Sequence, residues 1–217
     1  MLMKCSYCGG SLKRNGKQSN GAQKYKCSEC LKSQLKEYSN KACAPGVNEF
    51  IISHLKEGCG IRSIARLSGV SPTTIMKRII KIANSIKRPV IAMEKEFEVD
   101  ELCTYIGKKT RRRWICYAFQ KDSGKVVSFT VGSRSRGQIN QVITTLRNSR
   151  AKKIFTDGFA VYKSLIPKAV HFINKRKINH IERNNLTLRT HLKRIQRRTI
   201  CYSRSLIMLS ACLTIFF

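Results

Sequence analysis

A chain of 217 residues with 43 Lys+Arg against 12 Asp+Glu has a formal net charge of +31, far more than a solvated surface requires. Such a balance collects polyanions, so nucleic acid is the leading partner, ahead of an anionic membrane surface. The apolar run Leu206–Phe217 is 12 residues long, too short for a span that takes ~20, and is expected to be a core element rather than a membrane segment.

The length allows one large domain or two to three small ones, and 42% hydrophobic residues suffice for packed cores. The opening Met1-Leu2-Met3-Lys4-Cys5 lacks a long apolar stretch. A secretory signal is therefore not expected, and a cytoplasmic, nucleoid-associated setting is. In a reducing compartment paired Cys-x2-Cys units are metal ligands rather than disulfides.

Residues 1–45 are expected to form a zinc ribbon. Cys5-Ser-Tyr-Cys8 and Cys27-Ser-Glu-Cys30 are two such knuckles, with 18 residues between Cys8 and Cys27. Lys13–Gly16 and Ser19–Gly21 carry turn signals, and Gln23–Lys26 has strand-like alternation. Four thiolates at this spacing fill a tetrahedral Zn²⁺ shell and leave no position for water, so the metal is structural.

Residues 46–90 are expected to form a helix-turn-helix DNA-binding domain. Val47–Glu57 has helical periodicity and stops at Gly58; Ile61–Ser68 is a second short helix ended by Gly69. Ser71-Pro72 starts a third, with Ser as N-cap and Pro at the first helical position. Ile64, Leu67, Val70, Ile75 and Ile79 are the expected small core, with Ala65 where two helices cross. The outer face of the third helix offers Thr73, Thr74, Lys77, Arg78 and Lys81 to DNA bases and phosphates; a plain helical hairpin is the alternative. His54 is expected to have a surface or packing role, and Lys87–Pro89 to be a linker.

Residues 91–217 are expected to form the catalytic domain. Strands are predicted over 97–106, 113–119 and 125–131, with a basic turn over 107–112. A helix over 138–147, a strand over 153–156, a short helix over 158–165 and a strand over 169–173 follow. A long basic helix from Ile178 to about Arg198 closes the domain. This order is that of a ribonuclease-H-like α/β fold, so the whole chain is a multidomain α+β protein. In open α/β sheets sites form at the carboxyl ends of strands, where the 153–156 strand delivers Asp157.

Acidic residues are scarce in this half: after Glu101 only Asp122, Asp157 and Glu182 remain. A first-strand Asp100, a strand-end Asp157 and a last-helix Glu182 converge on one side of such a fold. They would hold two Mg²⁺ ions about 3.5–4 Å apart. Taken singly, Asp157 is also an ordinary turn residue, Glu182 also a partner for Arg183 or Arg189, and Asp100 competes with Glu98 and Glu101. Strand alternation puts Asp100 on a face with Glu98 and Leu102, away from Glu101. Arg183, Arg189, Lys193 and Arg194 on the last helix are candidates for holding DNA backbone.

The chain resembles transposases of the insertion-sequence-one family, in the form where DNA-binding and catalytic parts share one reading frame. The likeness rests on the Cys5–Cys8 knuckle with Arg14-Asn-Gly-Lys17, Tyr25-Lys-Cys-Ser-Glu-Cys30, Val99-Asp-Glu101, Tyr105-Ile-Gly107, Arg113-Trp114, Thr156-Asp-Gly158, Ile181-Glu-Arg-Asn-Asn-Leu186 and Leu188-Arg-Thr-His-Leu192. It implies a DDE catalytic triad at Asp100, Asp157 and Glu182. It also implies binding to the element's terminal inverted repeats, Mg²⁺-dependent cleavage at each end, and attack of the freed 3′-hydroxyl on double-stranded target DNA. The family motif after the Glu often reads Arg-His-Asn; here Arg183-Asn184-Asn185 stands, so no histidine role carries over to 184. Coordinated cutting of two ends implies a homodimer or larger assembly on DNA. The alternative outside this reading is a zinc-ribbon DNA-binding regulator or an inactive transposase copy.

Overall fold

The computed structural model describes residues 3–35, 40–87, 89–196, 198–199 and 201–217, apart from the Lys175 side chain. The chain divides into two compact units, Met1–Val47 and Asn48–Phe217.

In the first unit β1 (Leu12–Lys17), β2 (Gln23–Cys27) and β3 (Ser33–Leu35) form an antiparallel sheet in that order. The turn expected at Lys13–Gly16 is instead strand: it lies inside β1, where the register slips between Arg14 and Lys17 and Gly16 takes φ 71°. A bulge uses the glycine's conformational freedom without ending the ladder. The turn itself comes later, closed by Gly21 N–H donating to the Gln18 carbonyl at 2.9 Å. The buried apolar residues described in this unit are Cys5, Cys27 and Ala42.

The second unit opens with α1 (Val47–Lys56), α2 (Ile61–Ser68) and α3 (Pro72–Ser85). Gly69 closes α2 at φ 66°, and the Ser71 hydroxyl accepts from Thr74 N–H at 3.2 Å. These are the stop and start signals legible in the sequence. Ile51, Leu55, Ile64, Ala65, Val70, Ile75 and Ile79 are buried. Leu67, expected in this core, is 61% exposed. The inward stripe of α2 runs Ile61–Ile64–Ala65–Ser68 at helical spacing, and position 67 falls off it. His54 stacks on Phe50 and bonds its carbonyl, a packing role. Arg88, within the expected linker, lies outside the described residues.

The larger sheet contains β4 (Glu96–Ile106), β5 (Lys108–Gln120), β6 (Lys125–Gly132), β7 (Lys153–Thr156) and β8 (His171–Ile173), in the order β6-β5-β4-β7-β8. β4 to β6 are antiparallel, and β7 and β8 run parallel to β4. The helices are α4 (Arg136–Asn148), α5 (Ala160–Leu165), α6 (Asn179–His191) and α7 (Leu206–Phe216). One core gathers Phe97, Val99 and Ala118 with α4 and α5; the other gathers Leu102, Ile115 and Tyr117 with α6 and α7. The period-2 alternation of β4 supplies both faces. Among the described residues no helix is long and apolar enough to cross a membrane; α7 is buried from Met208 onward along one face, with Leu206 and Ile207 exposed at its start, and packs on α3.

Two expected elements differ. The segment predicted as a basic turn is mostly strand: Arg112 pairs with Tyr105 and Arg113 with Thr104, and Gly107 alone, at φ 73°, turns the chain. The last helix was expected to reach about Arg198 and stops at His191, followed by a single 3-10 turn, Lys193–Ile195. There the Arg194 carbonyl accepts from the Thr104 hydroxyl at 3.5 Å, a tertiary partner in place of a helical one, and the Arg194 guanidinium donates to the Ser203 hydroxyl at 3.0 Å. Arg197, within the expected helix, lies outside the described residues.

Candidate active site

The pairing of β4 with β7 builds the site. Glu98 lies opposite Phe155 in parallel register, so the residue after β7, Asp157, comes beside Asp100. Carboxylate oxygens of Asp100, Glu101 and Asp157 lie within 4.8 Å of one another. The trio expected from sequence is therefore joined in part: Asp100 and Asp157 meet, Glu101 joins them, and Glu182 stands outside that distance in the first turn of α6. Glu182 is exposed, and its charge still helps raise the Asp100 pKa.

Each carboxylate is held. Asp157 Oδ1 accepts from Phe159 N–H at 3.0 Å, so the turn-residue reading and the site reading describe the same side chain. Gly158 takes φ 91°, and a Cβ there would meet Ile173 Cγ2 at 2.8 Å; only glycine lets the chain leave the strand this way. Asp100 Oδ2 accepts from Asn185 Nδ2 at 2.8 Å. Asn185 Oδ1 in turn lies 2.8 Å from the Tyr117 hydroxyl, which also accepts from Asn184 Nδ2 at 3.2 Å. Burial pushes Asp100 above the usual carboxylate range, and the neighbouring Asp157 charge adds to it. Burial likewise raises Glu101, opposed by the Arg134 guanidinium 3.1 Å away. Arg134 lies over the rings of Trp114 and Phe159. Glu101 Oε1 and the hydroxyl of Tyr162 are both buried, and the Tyr162 hydroxyl helps offset the effect of burial on Glu101.

Sequence reasoning treated Glu98 only as a competitor for Asp100; its own role is structural. Fully buried, it accepts from Ile181 N–H at 2.7 Å and meets His180 Nδ1 at 2.7 Å, with Lys121 3.7 Å away. A strand carboxylate thus caps the amino end of α6, where backbone donors and the helix dipole favour negative charge, and sets where Glu182 stands. Glu98→Ala is expected to lower unfolding stability by about 2 kcal/mol, measured by urea denaturation. Asn185, Tyr117 and Arg134 were also missed as site supports; nothing in local sequence marks a partner 33 to 85 positions away.

The expected DNA-facing residues divide. Thr73, Lys77, Lys81, Arg183 and Lys193 are exposed. Thr74 belongs to the α3 cap, Arg78 donates to Asn48 on α1 at 3.0 Å, and Arg189 is half-buried.

In the first unit the four cysteines come together. Cys5 and Cys30 sulfurs are 3.6 Å apart, and Cys8 and Cys27 sulfurs 3.5 Å. A tetrahedral shell with Zn–S of ~2.3 Å has edges of about 3.8 Å, so the set fits that metal with small adjustment. Each knuckle also aims a backbone N–H at its first sulfur, Tyr7 at Cys5 and Glu29 at Cys27, both at 3.4 Å.

A family model described as IS1 transposase matches residues 95–217, the sheet and every carboxylate above. The chain belongs to the IS1 transposase family. This transposase is 37% identical over 108 residues to the insertion element iso-IS1n protein InsB of Shigella dysenteriae, covering 50% of this chain and 82% of that one. Insertion element IS1 2 protein InsB of Escherichia coli K12 is 35% identical over 108 residues, covering 50% and 65%. Among solved structures, a simian T-cell lymphotropic virus intasome in complex with a PP2A regulatory subunit is 16% identical, with a TM-score of 0.40 over 76% of the transposase and 67% of that chain.

Proposed function

We propose that the transposase binds the terminal inverted repeats of its own element and performs metal-dependent strand cleavage and strand transfer at a DDE-type centre of Asp100, Asp157 and Glu182. The observation that carries this is the convergence of Asp100 and Asp157 at the parallel β4–β7 pair. The sheet order and mixed strand directions support a ribonuclease-H-like catalytic domain.

The donor set suits a hard divalent cation such as Mg²⁺: all oxygens, closely spaced and partly or wholly buried. Asp100 and Asp157 would hold it, with Glu101 and Glu182 as further carboxylates and room for a second ion a proposal of the same kind. Such an ion supplies Lewis-acid polarisation of a phosphodiester and a lowered pKa for bound water. The protein's own part is positional. Asn185 orients Asp100, the Asp157 turn fixes the second carboxylate, and Glu98 holds the first turn of α6, where Glu182 stands close enough for its charge to act on Asp100. Arg183 and Lys193 on and after that helix neutralise DNA backbone.

Three functional segments complete the proposal: a zinc ribbon over 1–45 with a structural Zn²⁺, a helix-turn-helix over 46–90 with α3 entering the major groove, and the catalytic domain over 91–217. The exposed Thr73, Lys77 and Lys81 support the second. The transposase would work in the cytoplasm on nucleoid DNA, as a dimer or larger, since two ends must be cut together.

The test is a cleavage and joining assay with end-labelled DNA from the flanks of its gene, comparing Mg²⁺ with Ca²⁺ and wild type with Glu182→Gln and Glu101→Gln. Mg²⁺-dependent nicks and joined products that vanish with Glu182→Gln support the triad. Loss with Glu101→Gln and survival with Glu182→Gln reassign the third carboxylate. Binding without cleavage in the wild type sinks the catalytic reading.

A further inference from the structure

The β4–β5 pair outruns its neighbours. β7 leaves β4 after Glu98, and β6 leaves β5 at Trp114. Beyond that point the two strands continue alone as a ribbon, with Thr104 opposite Arg113, Tyr105 opposite Arg112, and Ile106 opposite Lys108. The end of this ribbon holds Lys108, Lys109, Arg111, Arg112 and Arg113, five cations in six residues, with Glu101 the nearest acidic residue in sequence. The first four are exposed, and no ion pair to any of the five is found among the described residues. The ribbon is anchored: Gly107 N–H donates to the Ser203 carbonyl at 2.9 Å, and the Thr104 hydroxyl reaches the Arg194 carbonyl at 3.5 Å.

Direction matters as much as charge. β4 and β7 are parallel, so the ribbon continues beyond the same end of β7 that carries Asp157. Ile106 lies six positions beyond Asp100, which at ~3.4 Å per residue places the basic end about 20 Å from the carboxylates. Duplex DNA advances ~3.4 Å per base pair, so this is about six base pairs. A solvated charge cluster needs neither an anchored base nor this alignment.

We infer that the β4–β5 ribbon is a duplex-DNA clamp, gripping the phosphate backbone about six base pairs from the phosphodiester held at Asp100 and Asp157. A two-stranded ribbon has the cross-section of the major groove, and its cations supply sequence-independent affinity. The distance, though not the affinity, rests on the catalytic reading above.

The experiment uses the full chain loaded with zinc and compares wild type with the combined variant Lys108→Gln, Lys109→Gln, Arg111→Gln, Arg112→Gln. Binding to an element-end duplex and to an unrelated duplex is measured in Ca²⁺ across a KCl series, with Mg²⁺ nicking run in parallel. The variant is expected to lose at least about tenfold in affinity at physiological salt and to flatten the log–log salt slope by ~0.9 per lost contact, about 3 to 4 in all. Its protection footprint should shrink about six base pairs from the nick. Arg111→Lys with Arg112→Lys should retain the slope, because phosphate contact needs charge and not side-chain shape; this separates the clamp from a folding defect. Loss confined to the element-end duplex puts the clamp on the element, and equal loss on both puts it on target as well. An unchanged slope and affinity overturn the clamp. Wild type that binds without nicking defeats the catalytic reading instead, while the salt slope still decides the clamp.

Discussion

Asp157→Asn and Asp100→Asn should each reduce Mg²⁺-dependent nicking and joining by at least about a thousandfold, roughly 4 kcal/mol of barrier, in a gel assay on end-labelled duplex. The two carboxylates are the pair that the β4–β7 register brings together, and removing one charge from an all-oxygen donor set removes the reason for a divalent cation to bind. Asp100→Asn should do something further: raise the thermal midpoint at neutral pH. Burial and the Asp157 charge both disfavour ionised Asp100, so its pKa in the folded chain is above the ordinary 3.8. The stability linked to that group is complete below pH 3.8, where it is protonated in both states, and is lost as pH rises through the folded value. A neutral amide keeps it, so the variant's advantage should vanish on acidification below that pH. Added Mg²⁺ should reverse the order, stabilising wild type by mass action and leaving the variant unmoved. A midpoint for Asp100→Asn at or below that of wild type at pH 7 would contradict the buried, mutually repelling arrangement.

Chelation of zinc, or Cys8→Ser, should unfold the first unit completely while the second melts as before. Residues 3–35 form a three-stranded sheet with almost no apolar interior: Cys5 and Cys27 are themselves the buried side chains. A sheet of that size without a core cannot repay the chain entropy it orders, so metal binding and folding are one event. Acid should have the same effect by degrees. The Cys30 backbone N–H chiefly holds the Cys27 thiol down, and as pH falls protons compete with the metal for all four sulfurs. Near-UV and far-UV dichroism with and without chelator would follow it; a first unit that keeps its signal without metal would remove the structural role from the cysteines.

Much of the architecture was legible because its signals are local. Two Cys-x2-Cys knuckles have a single chemically sensible use, and the cysteines do converge. The Ser71-Pro72 start and Gly69 stop of the helical segment follow from cap chemistry, which involves only a few consecutive residues. Strand alternation around Asp100 correctly put Glu98 and Leu102 on its face, because a pleat allows nothing else. Asp157 at the end of a short buried strand followed from the run Lys153–Thr156 and Gly158.

Two failures lie where distance along the chain is large, and a third, Leu67, is local. The basic segment 107–112 has turn-like composition, and only its pairing with Tyr105 and Ile106 makes all of it after Gly107 strand. The last helix ends at His191, beyond which the Arg194 carbonyl is bonded by the Thr104 hydroxyl, 90 positions away, instead of by a backbone N–H of a continuing helix. Leu67 is apolar but lies off the inward stripe of α2.

The sequence by itself determined the chemistry available to this transposase: four soft sulfur ligands, a few carboxylates in a basic chain, and strands and helices in the order that brings parallel β7 beside β4. Those are properties of residue type and spacing, written in stretches a few residues long. Asp100 and Asp157 meet as their strands predict; the tertiary structure alone decided which other carboxylates join them. Glu101 joined the cluster beside Asp100 and Asp157, Glu98 was committed to the amino end of α6, and Glu182 was set on a helix whose place depends on that cap. The physical reason is that a hydrogen bond or a shared charge acts over a few ångströms of space, and the chain separations involved, 83 residues for Glu98 and Ile181, leave no trace in local pattern.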